Sequence, residues 1–233
     1  EKIKNYFIYY STIKGDLELR QKINDRWGYI LKHLNSAYIH DSEAENSFLR
    51  NCYLVFYSSN KSKSWYIYDQ LKGQYEPQSD DRVREKLDEI SNFVDFLEKA
   101  AQHYSWLNNS SVNHPDRLKK VLEKLRCHPV NASIMPLYIS VMSFWGDDKN
   151  KSNICDVLNF IEKLNFRVYV LPNAEVSRND THQGTLFSWA NEAFKYTEGS
   201  EKAPRGDWED EYGTMSTENV FEILKNKIQF QRK

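Results

Sequence analysis

Turn-forming residues are scarce in this sequence. Only 8 Gly and 6 Pro occur among its 233 residues, whereas a β-sandwich or a β-barrel needs a turn about every 8–12 residues. Long hydrophobic runs are missing as well. The longest, Ile134 to Trp145, is shorter than the roughly 18 residues of a membrane-spanning helix and is interrupted by Pro136. We therefore predict an all-α protein without a membrane segment.

Cysteine is rare and follows no recognisable pattern. Cys52, Cys127 and Cys155 are an odd number, are widely spaced and form no Cys-x-x-Cys pair, so they indicate neither a disulfide framework nor a zinc site. Reduced thiols are typical of intracellular proteins, and we expect a cytoplasmic location.

Neither sign of charge dominates. The 32 Lys and Arg are balanced by 33 Asp and Glu, which gives a net charge of −1. This balance excludes the domain-wide basic field of many nucleic-acid-binding proteins and leaves a local basic face as the alternative.

Motifs for catalysis and for cofactors are missing. The six histidines form no His-Glu-x-x-His motif and no His/Cys pair at zinc-binding spacing. A Gly-x-Ser-x-Gly elbow and Gly-rich phosphate loops are also missing. We predict no metal, no cofactor and no catalytic residue in this segment.

Bulky apolar residues at helical spacing are abundant. Hydrophobic residues make up 40% of the chain and aromatic residues 14%. The clearest stripe, from Val83 to Tyr104, keeps a heptad spacing, which indicates a helix buried in the core or, alternatively, a coiled-coil seam. We predict an orthogonal multi-helix bundle of about 9–11 helices. Residues 166–171 are compatible with helix or strand, which leaves room for one minor strand pair near 166–180.

Local signals predict several boundaries. Asp16 is predicted to cap the second helix, and Ser79 to cap the helix that contains the heptad stripe. The stretch from Asn60 to Lys63 is predicted to be a loop, and Ile134 to Trp145 to be a central buried helix.

Composition also suggests how the chain is divided. Residues 197–214 are polar and contain three Gly and one Pro, which is typical of a loop. We predict a helical domain at 1–198, an extended loop or linker at 199–214, and a C-terminal helix at 215–233 that leads to a further region. Because the sequence begins at Glu1 inside an amphipathic pattern, we expect it to be a segment of a longer protein.

One enzymatic pattern is present. Arg26 and His33 lie on one face of the predicted second helix, and they resemble the Arg-x(4–6)-His motif of HEPN-type ribonucleases. That family usually has Asn, Asp or His directly after the arginine, where this chain has Trp27. The alternative is a surface arginine and a histidine close to a helix C-terminus.

A series of short motifs resembles GmrSD-type restriction proteins. Residues 1–7, Glu-Lys-Ile-Lys-Asn-Tyr-Phe, resemble the "IKN(Y/H)(L/F)" helix that follows the nucleotide-binding core of that family. Trp27 followed by Ile30 resembles its "W..I...L" helix, and residues 48–53 resemble its "FLR.Y" segment.

Three further landmarks continue the series in the same order. Residues 93–107 resemble the "(F)…L…A..Y..L" helix of the family, and residues 135–137 stand where it has an apolar "PLL" helix. Residues 166–169 with 177–180 resemble its "(F)RVY…R.N" element, so the landmarks span residues 1–196.

The resemblance implies a function for the whole protein. Members of that bacterial family have a ParB/sulfiredoxin-like domain that binds and hydrolyses nucleotide, a helical region and, in many cases, an HNH-type nuclease domain. They carry out modification-dependent DNA restriction in phage defence. The Asp-Gly-Gln-Gln-Arg motif of the first domain and the histidine motif of the last are missing here. The chain is therefore predicted to be the helical middle region, which couples the flanking domains and contacts DNA.

The resemblance also suggests contact residues. Arg50, Arg167 and Arg178 match family landmarks, and we predict that they contact DNA or a neighbouring domain of the same protein. Their alternative role is ion pairing or helix capping. The alternative function is a protein-interaction scaffold without nucleic-acid function, in one form a homo-oligomer, which the neutral net charge and the heptad stripe suggest.

Overall fold

The computed structural model describes residues 1–39, 41–78, 81–109, 114–130, 132–146, 149–171, 180, 182–195 and 217–230. These residues form eleven α-helices and one π-helix, and no strand occurs among them. The prediction of an all-α multi-helix bundle is confirmed. Among the described helices, none combines the length and the apolar character that crossing a bilayer requires.

Eleven α-helices and the π-helix follow one another along the described chain. In chain order they are α1 (Lys2–Ile13), α2 (Leu17–Ser36), α3 (Ser42–Phe56), α4 (Lys61–Ser64), α5 (Ile67–Gln74), α6 (Val83–Asn108), α7 (Asp116–Arg126), α8 (Met135–Met142), α9 (Lys151–Asn165), the π-helix (Phe166–Val170), α10 (Gln183–Lys195) and α11 (Thr217–Phe230). The π-helix directly continues α9, so the stretch that was compatible with helix or strand is helical.

Side-chain caps fix where helices α2 and α3 begin. Asp16 accepts a hydrogen bond of 2.8 Å from the backbone N–H of Leu19 at the start of α2. Asp41 accepts an equivalent bond of 2.8 Å from Ala44 at the start of α3. The prediction for Asp16 is therefore confirmed, and both carboxylates satisfy backbone donors that have no partner within the helix.

Three predicted boundaries are wrong. Helix α6 begins at Val83, after Arg82 in a left-handed conformation with φ of 52°, and Ser79 lies outside the described residues. Residues 60–63 are not a loop, because Asn60 caps the one-turn helix α4 by accepting from Ser62 and Lys63. Helix α8 ends at Met142. The backbone N–H groups of the next three residues donate to the carbonyl oxygen of the third residue before them, which is the pattern of a 3₁₀ turn.

The heptad stripe of α6 lies in the core. Leu87, Ile90, Val94, Leu97 and Ala101 are all buried, and α6 packs along α2. Lys22 and Asp95 form an ion pair of 2.5 Å across this helix pair. The interpretation of the stripe as a core face is confirmed.

The second half of the chain packs around α8. Every residue of α8 is buried, and this helix contacts α3, α9 and α10. Helix α11 packs on α9, and the Phe221 ring lies 5.5 Å from the Phe144 ring. Residues 199–214, which were predicted to be a linker, lie outside the described residues.

Candidate nucleic-acid interface

A cavity of about 630 Å³ opens between α3, α4, the C-terminal end of α6, the segment after α7 and the start of α10. Three cationic side chains and one imidazole line it, namely Arg50, Lys61, Arg126 and His128. No Asp or Glu occurs among the described residues that line this cavity. We call it the basic cavity. Its lining has the charge expected of a site for an anion.

Arg50 contributes the least hydrated of these charges. It lies on α3 and is half-buried, and its guanidinium carbon is 3.2 Å from the centroid of the Trp65 ring. Its Nε is buried and has no hydrogen-bond partner among the described residues. Burial lowers the pKa of Arg50 from its ordinary value, but an arginine remains protonated at neutral pH. A half-buried cation with no ion-pair partner among the described residues is suited to an incoming anion.

Lys61 reaches the cavity because of a local cap. Asn60 accepts two backbone hydrogen bonds, of 2.9 and 3.2 Å, and these start the single turn of α4. Lys61 is the first residue of that turn and is exposed. Trp65 and Tyr66 follow between α4 and α5. A segment of five residues thus places a cation and an aromatic ring at the same opening.

Arg126 and His128 line the basic cavity from the end of α7 and the segment that follows it. Arg126 ends α7 and donates from Nη1 to the Trp106 carbonyl oxygen at 3.3 Å. The His128 ring packs 4.9 Å from the Phe166 ring, the first residue of the π-helix. Within the described part of the chain, no carboxylate lies within ion-pair distance of Arg50, Lys61 or Arg126. All three therefore keep positive charge that no acid of the described residues neutralises.

Neutral polar groups complete the lining. Gln183 donates from Nε2 to the Ser133 hydroxyl at 3.0 Å, while its buried Oε1 has no hydrogen-bond partner among the described residues. The other neutral polar side chains of the lining are Ser47, Asn51 and Asn108. Hydroxyl and amide groups commonly supplement arginine and lysine in contacts with phosphate.

The landmark arginines have different surroundings. Arg50 lies in the basic cavity. Arg167 is exposed on the π-helix, where its Nε donates to the Lys163 carbonyl oxygen at 3.2 Å, and it does not line the cavity. Arg178 lies outside the described residues. Of the two landmark arginines that the structure describes, Arg50 lines the cavity and Arg167 does not.

The other cavity residues were missed for identifiable reasons. Lys61 falls in a stretch that was predicted to be a loop. His128 belongs to no histidine motif in the sequence. Arg126 belongs to no motif, and no pattern in the sequence places it near Arg50, because tertiary packing alone brings the two residues together. Among the described residues, no group of three His, Cys, Asp or Glu is arranged to hold a metal ion.

Arg26 and His33 lie on the side of α2 that faces α6. Arg26 forms ion pairs with Asp95 at 3.4 Å and with Glu98 at 2.6 Å. Burial lowers the pKa of His33, and the nearby Glu98 acts in the opposite direction. Two carboxylates thus occupy the guanidinium that a ribonuclease would use for phosphate. The ribonuclease hypothesis stays a prediction, and these contacts give Arg26 a structural role.

A second cavity, of about 1380 Å³, has the opposite charge. Its acidic residues come from α5 and α6 and outnumber Lys63 and Lys195; they are Asp69, Glu85, Asp88 and Glu89. We call it the acidic groove. The Tyr57 and Tyr75 hydroxyls lie 2.8 Å apart beside it, and burial raises the pKa of both phenols.

The acidic groove and the basic cavity share their framework. Helices α3, α4, α6 and α10 each contribute residues to both, so the same four helices line the two openings. Comparison of the chain with protein-family models, with curated proteins and with solved structures gave no match.

Proposed function

We propose that this chain is the helical middle region of a GmrSD-like, modification-dependent restriction protein and that it contacts DNA through the basic cavity. One observation carries the DNA-binding part of the proposal. Arg50, which belongs to the "FLR.Y" landmark, lies in a cavity with two further cations and no described acidic residue. The ordered landmarks support the coupling of a nucleotide-binding domain to a nuclease domain, and the cavity supports the contact with DNA.

The chemistry of the cavity is that of phosphate binding. Arg50 and Arg126 offer planar guanidinium groups, which match phosphate oxygens, and Lys61 adds a mobile ammonium group. Each cation that replaces a condensed counterion on DNA releases that ion into solution. The affinity for DNA should therefore fall with added salt, and the slope of log K against log salt should be set by the number of cation–phosphate contacts.

The test measures the affinity of the chain for a labelled DNA duplex and for one of its strands as the salt concentration is raised. We expect binding to both or to one of them, with log K decreasing linearly against log salt. Lys61→Gln and Arg126→Gln should each weaken binding and reduce that slope by about 0.9 for duplex or about 0.7 for a single strand.

Lys120→Gln is the matched control. It removes the same charge from an exposed position on α7 that does not line the cavity, and it should leave both affinity and slope unchanged. Equal effects of Lys61→Gln and Lys120→Gln would assign binding to general surface charge. The complete lack of salt-dependent DNA binding would remove the DNA part of the proposal.

The two alternative functions have weaker support from the fold. The heptad face that suggested a dimeric scaffold is buried against α2 within the chain. Arg26 is engaged by two carboxylates. Light scattering that shows a dimer would renew the scaffold hypothesis. RNA cleavage by the wild type and not by His33→Ala would renew the ribonuclease hypothesis.

A further inference from the structure

Trp65 is an aromatic ring with one covered face and a large exposed surface. The Arg50 guanidinium lies 3.2 Å from its ring centroid, yet 61% of the side chain is exposed. The next residue, Tyr66, is 64% exposed. In contrast, Trp27 and Trp189 are only 4% and 7% exposed, because they belong to the core. Leaving an indole in water forgoes the stabilisation of burying it.

The position of Trp65 connects this exposure to binding. Trp65 lines the basic cavity together with Arg50 and Lys61. A ring face therefore meets, at one opening, cations that form no ion pair with any described residue. Exposed aromatic rings beside cations are the combination with which proteins hold unpaired nucleotides, because bases stack on the rings and phosphates bind the cations.

Stacking geometry selects an unpaired nucleotide over a base pair. A volume of about 630 Å³ falls within the usual range for sites that bind small molecules. In an intact duplex, both faces of each base are covered by its neighbours, so a base can stack on Trp65 only where the strand is unpaired.

We propose that the basic cavity holds one unpaired nucleotide of a DNA strand, with its base stacked on Trp65 and its phosphate bound by the cavity cations. Arg50 then has two roles. Its guanidinium fixes the plane of the indole from one side through a cation–π contact, and its positive charge attracts the phosphate. This inference rests on the DNA contact proposed above and specifies the form of DNA that is bound.

The experiment compares three DNA probes of equal length: a single strand, the duplex, and a single strand in which abasic sites replace the central nucleotides. Dissociation constants are measured at one salt concentration for the wild type, Trp65→Leu and Trp65→Phe. Tyr29→Leu is the matched control, since Tyr29 is 50% exposed on α2 and does not line the basic cavity. Thermal unfolding of each variant checks the fold, which substitution of an exposed side chain should leave intact.

We expect the wild type to prefer the single strand over both the duplex and the abasic strand. Trp65→Leu should weaken single-strand binding by about tenfold or more, which is the range for the loss of one stacked base. Trp65→Phe should retain part of the affinity, and Tyr29→Leu should retain all of it.

Two results would overturn the inference, and they differ in what they leave standing. If the three probes bind alike and Trp65→Leu has no effect, while Lys61→Gln still weakens binding, the stacking site is wrong and the DNA contact stands. If no probe binds, the DNA contact and the stacking site are both wrong.

Discussion

At the scale of single residues, His103 is a titratable side chain placed in the core. Its side chain is 6% exposed on α6, and its Nδ1 has no hydrogen-bond partner among the described residues. Burial lowers the pKa of His103 to about 3, and Lys99, His33 and His114 act in the same direction. The ring is therefore neutral in the folded protein at neutral pH, whereas it titrates near its ordinary pKa of about 6.5 in the unfolded chain.

We predict that the folded state loses stability as the pH falls below about 6.5, because the unfolded chain then binds a proton that the folded chain does not bind until about pH 3. His103 alone should lower the free energy of unfolding by roughly 1 kcal/mol for each pH unit in this window. His103→Leu should flatten this dependence. Urea unfolding of the wild type and of His103→Leu at about pH 7 and about pH 5 measures how the free energy of unfolding changes with pH.

Leu107→Ala provides the comparison for a purely structural loss. Leu107 is buried one turn further along α6, and its truncation should cost about 2–5 kcal/mol at either pH, because no titrating group is removed. An unchanged pH dependence in His103→Leu would show that other groups are responsible for it.

At the scale of helices, the end of α2 is formed without glycine. Tyr38 has a φ of 61° and donates from its backbone N–H to the Asn35 carbonyl oxygen at 3.1 Å. The backbone N–H of Ile39 donates to the Leu34 carbonyl oxygen at 3.1 Å. The side chains of Leu34 and Ile39 are buried. This is a Schellman ending, in which glycine usually occupies the left-handed position.

Tyr38→Gly should therefore stabilise the protein. The left-handed conformation costs a residue with a Cβ roughly 1–2 kcal/mol, and glycine would relieve this strain. Part of the resulting gain in stability is offset because glycine has more conformational freedom in the unfolded chain. The Tyr38 side chain is 76% exposed, so little packing is lost. We expect a net gain of about 1 kcal/mol, which is a rise in Tm of roughly 2–4 °C.

Tyr38→Ala separates backbone strain from the loss of the phenol. It removes the same ring but keeps the Cβ, so its Tm should stay close to that of the wild type. Equal values of Tm for Tyr38→Gly and Tyr38→Ala would mean that the left-handed conformation carries no strain that glycine relieves.

Helical stripes were predictable from the sequence, whereas helix ends were predictable only where a side chain forms the cap. The apolar spacing along α6 predicted its buried face, and Asp16 predicted the start of α2. The ends that depend on backbone conformation were not predictable. Tyr38 and Arg82 occupy left-handed positions that neither residue type favours. Helix α8 ends in a 3₁₀ turn of backbone hydrogen bonds, and no side chain in the sequence indicates that turn.

At the scale of the whole molecule, the candidate site is a product of tertiary packing. The resemblance drew attention to Arg50, but Lys61, Arg126 and His128 join it only because α3, α4 and the segment after α7 converge. No spacing along the sequence encodes that convergence. The net charge of −1 concealed the site as well, because a sum over the chain does not show where opposite charges lie.

A long-range hydrogen bond joins the two halves of this fold. The side-chain amide of Asn191 on α10 donates to the Val55 carbonyl oxygen at 2.7 Å, across 136 residues of sequence. Val55 lies in the last turn of α3, where carbonyl groups have no partner within the helix. Asn191→Ala would leave a buried acceptor unsatisfied, and we expect a loss of about 1–3 kcal/mol in the free energy of unfolding.

Asn159→Ala is the matched control for Asn191→Ala. Asn159 also donates to a carbonyl, that of Cys155 at 2.8 Å, but within one turn of α9 and only half-buried. Its loss should change stability by no more than about 0.5 kcal/mol. Chemical denaturation of both variants measures the difference, and equal losses would contradict a special role for the contact between α10 and α3.

The separation of the basic cavity from the acidic groove affects how the binding of a polyanion depends on ionic strength. Glu89 of the groove and Tyr104 of the cavity both lie on α6, at a distance of about 22 Å along the helix axis. The Debye length is about 8 Å at physiological salt and about 30 Å near 0.01 M. A polyanion at the cavity is therefore shielded from the groove under physiological conditions and is repelled by it in dilute buffer. Lowering the salt far below the physiological range should bring diminishing gains in attraction, because repulsion from the groove then offsets part of the attraction to the cavity.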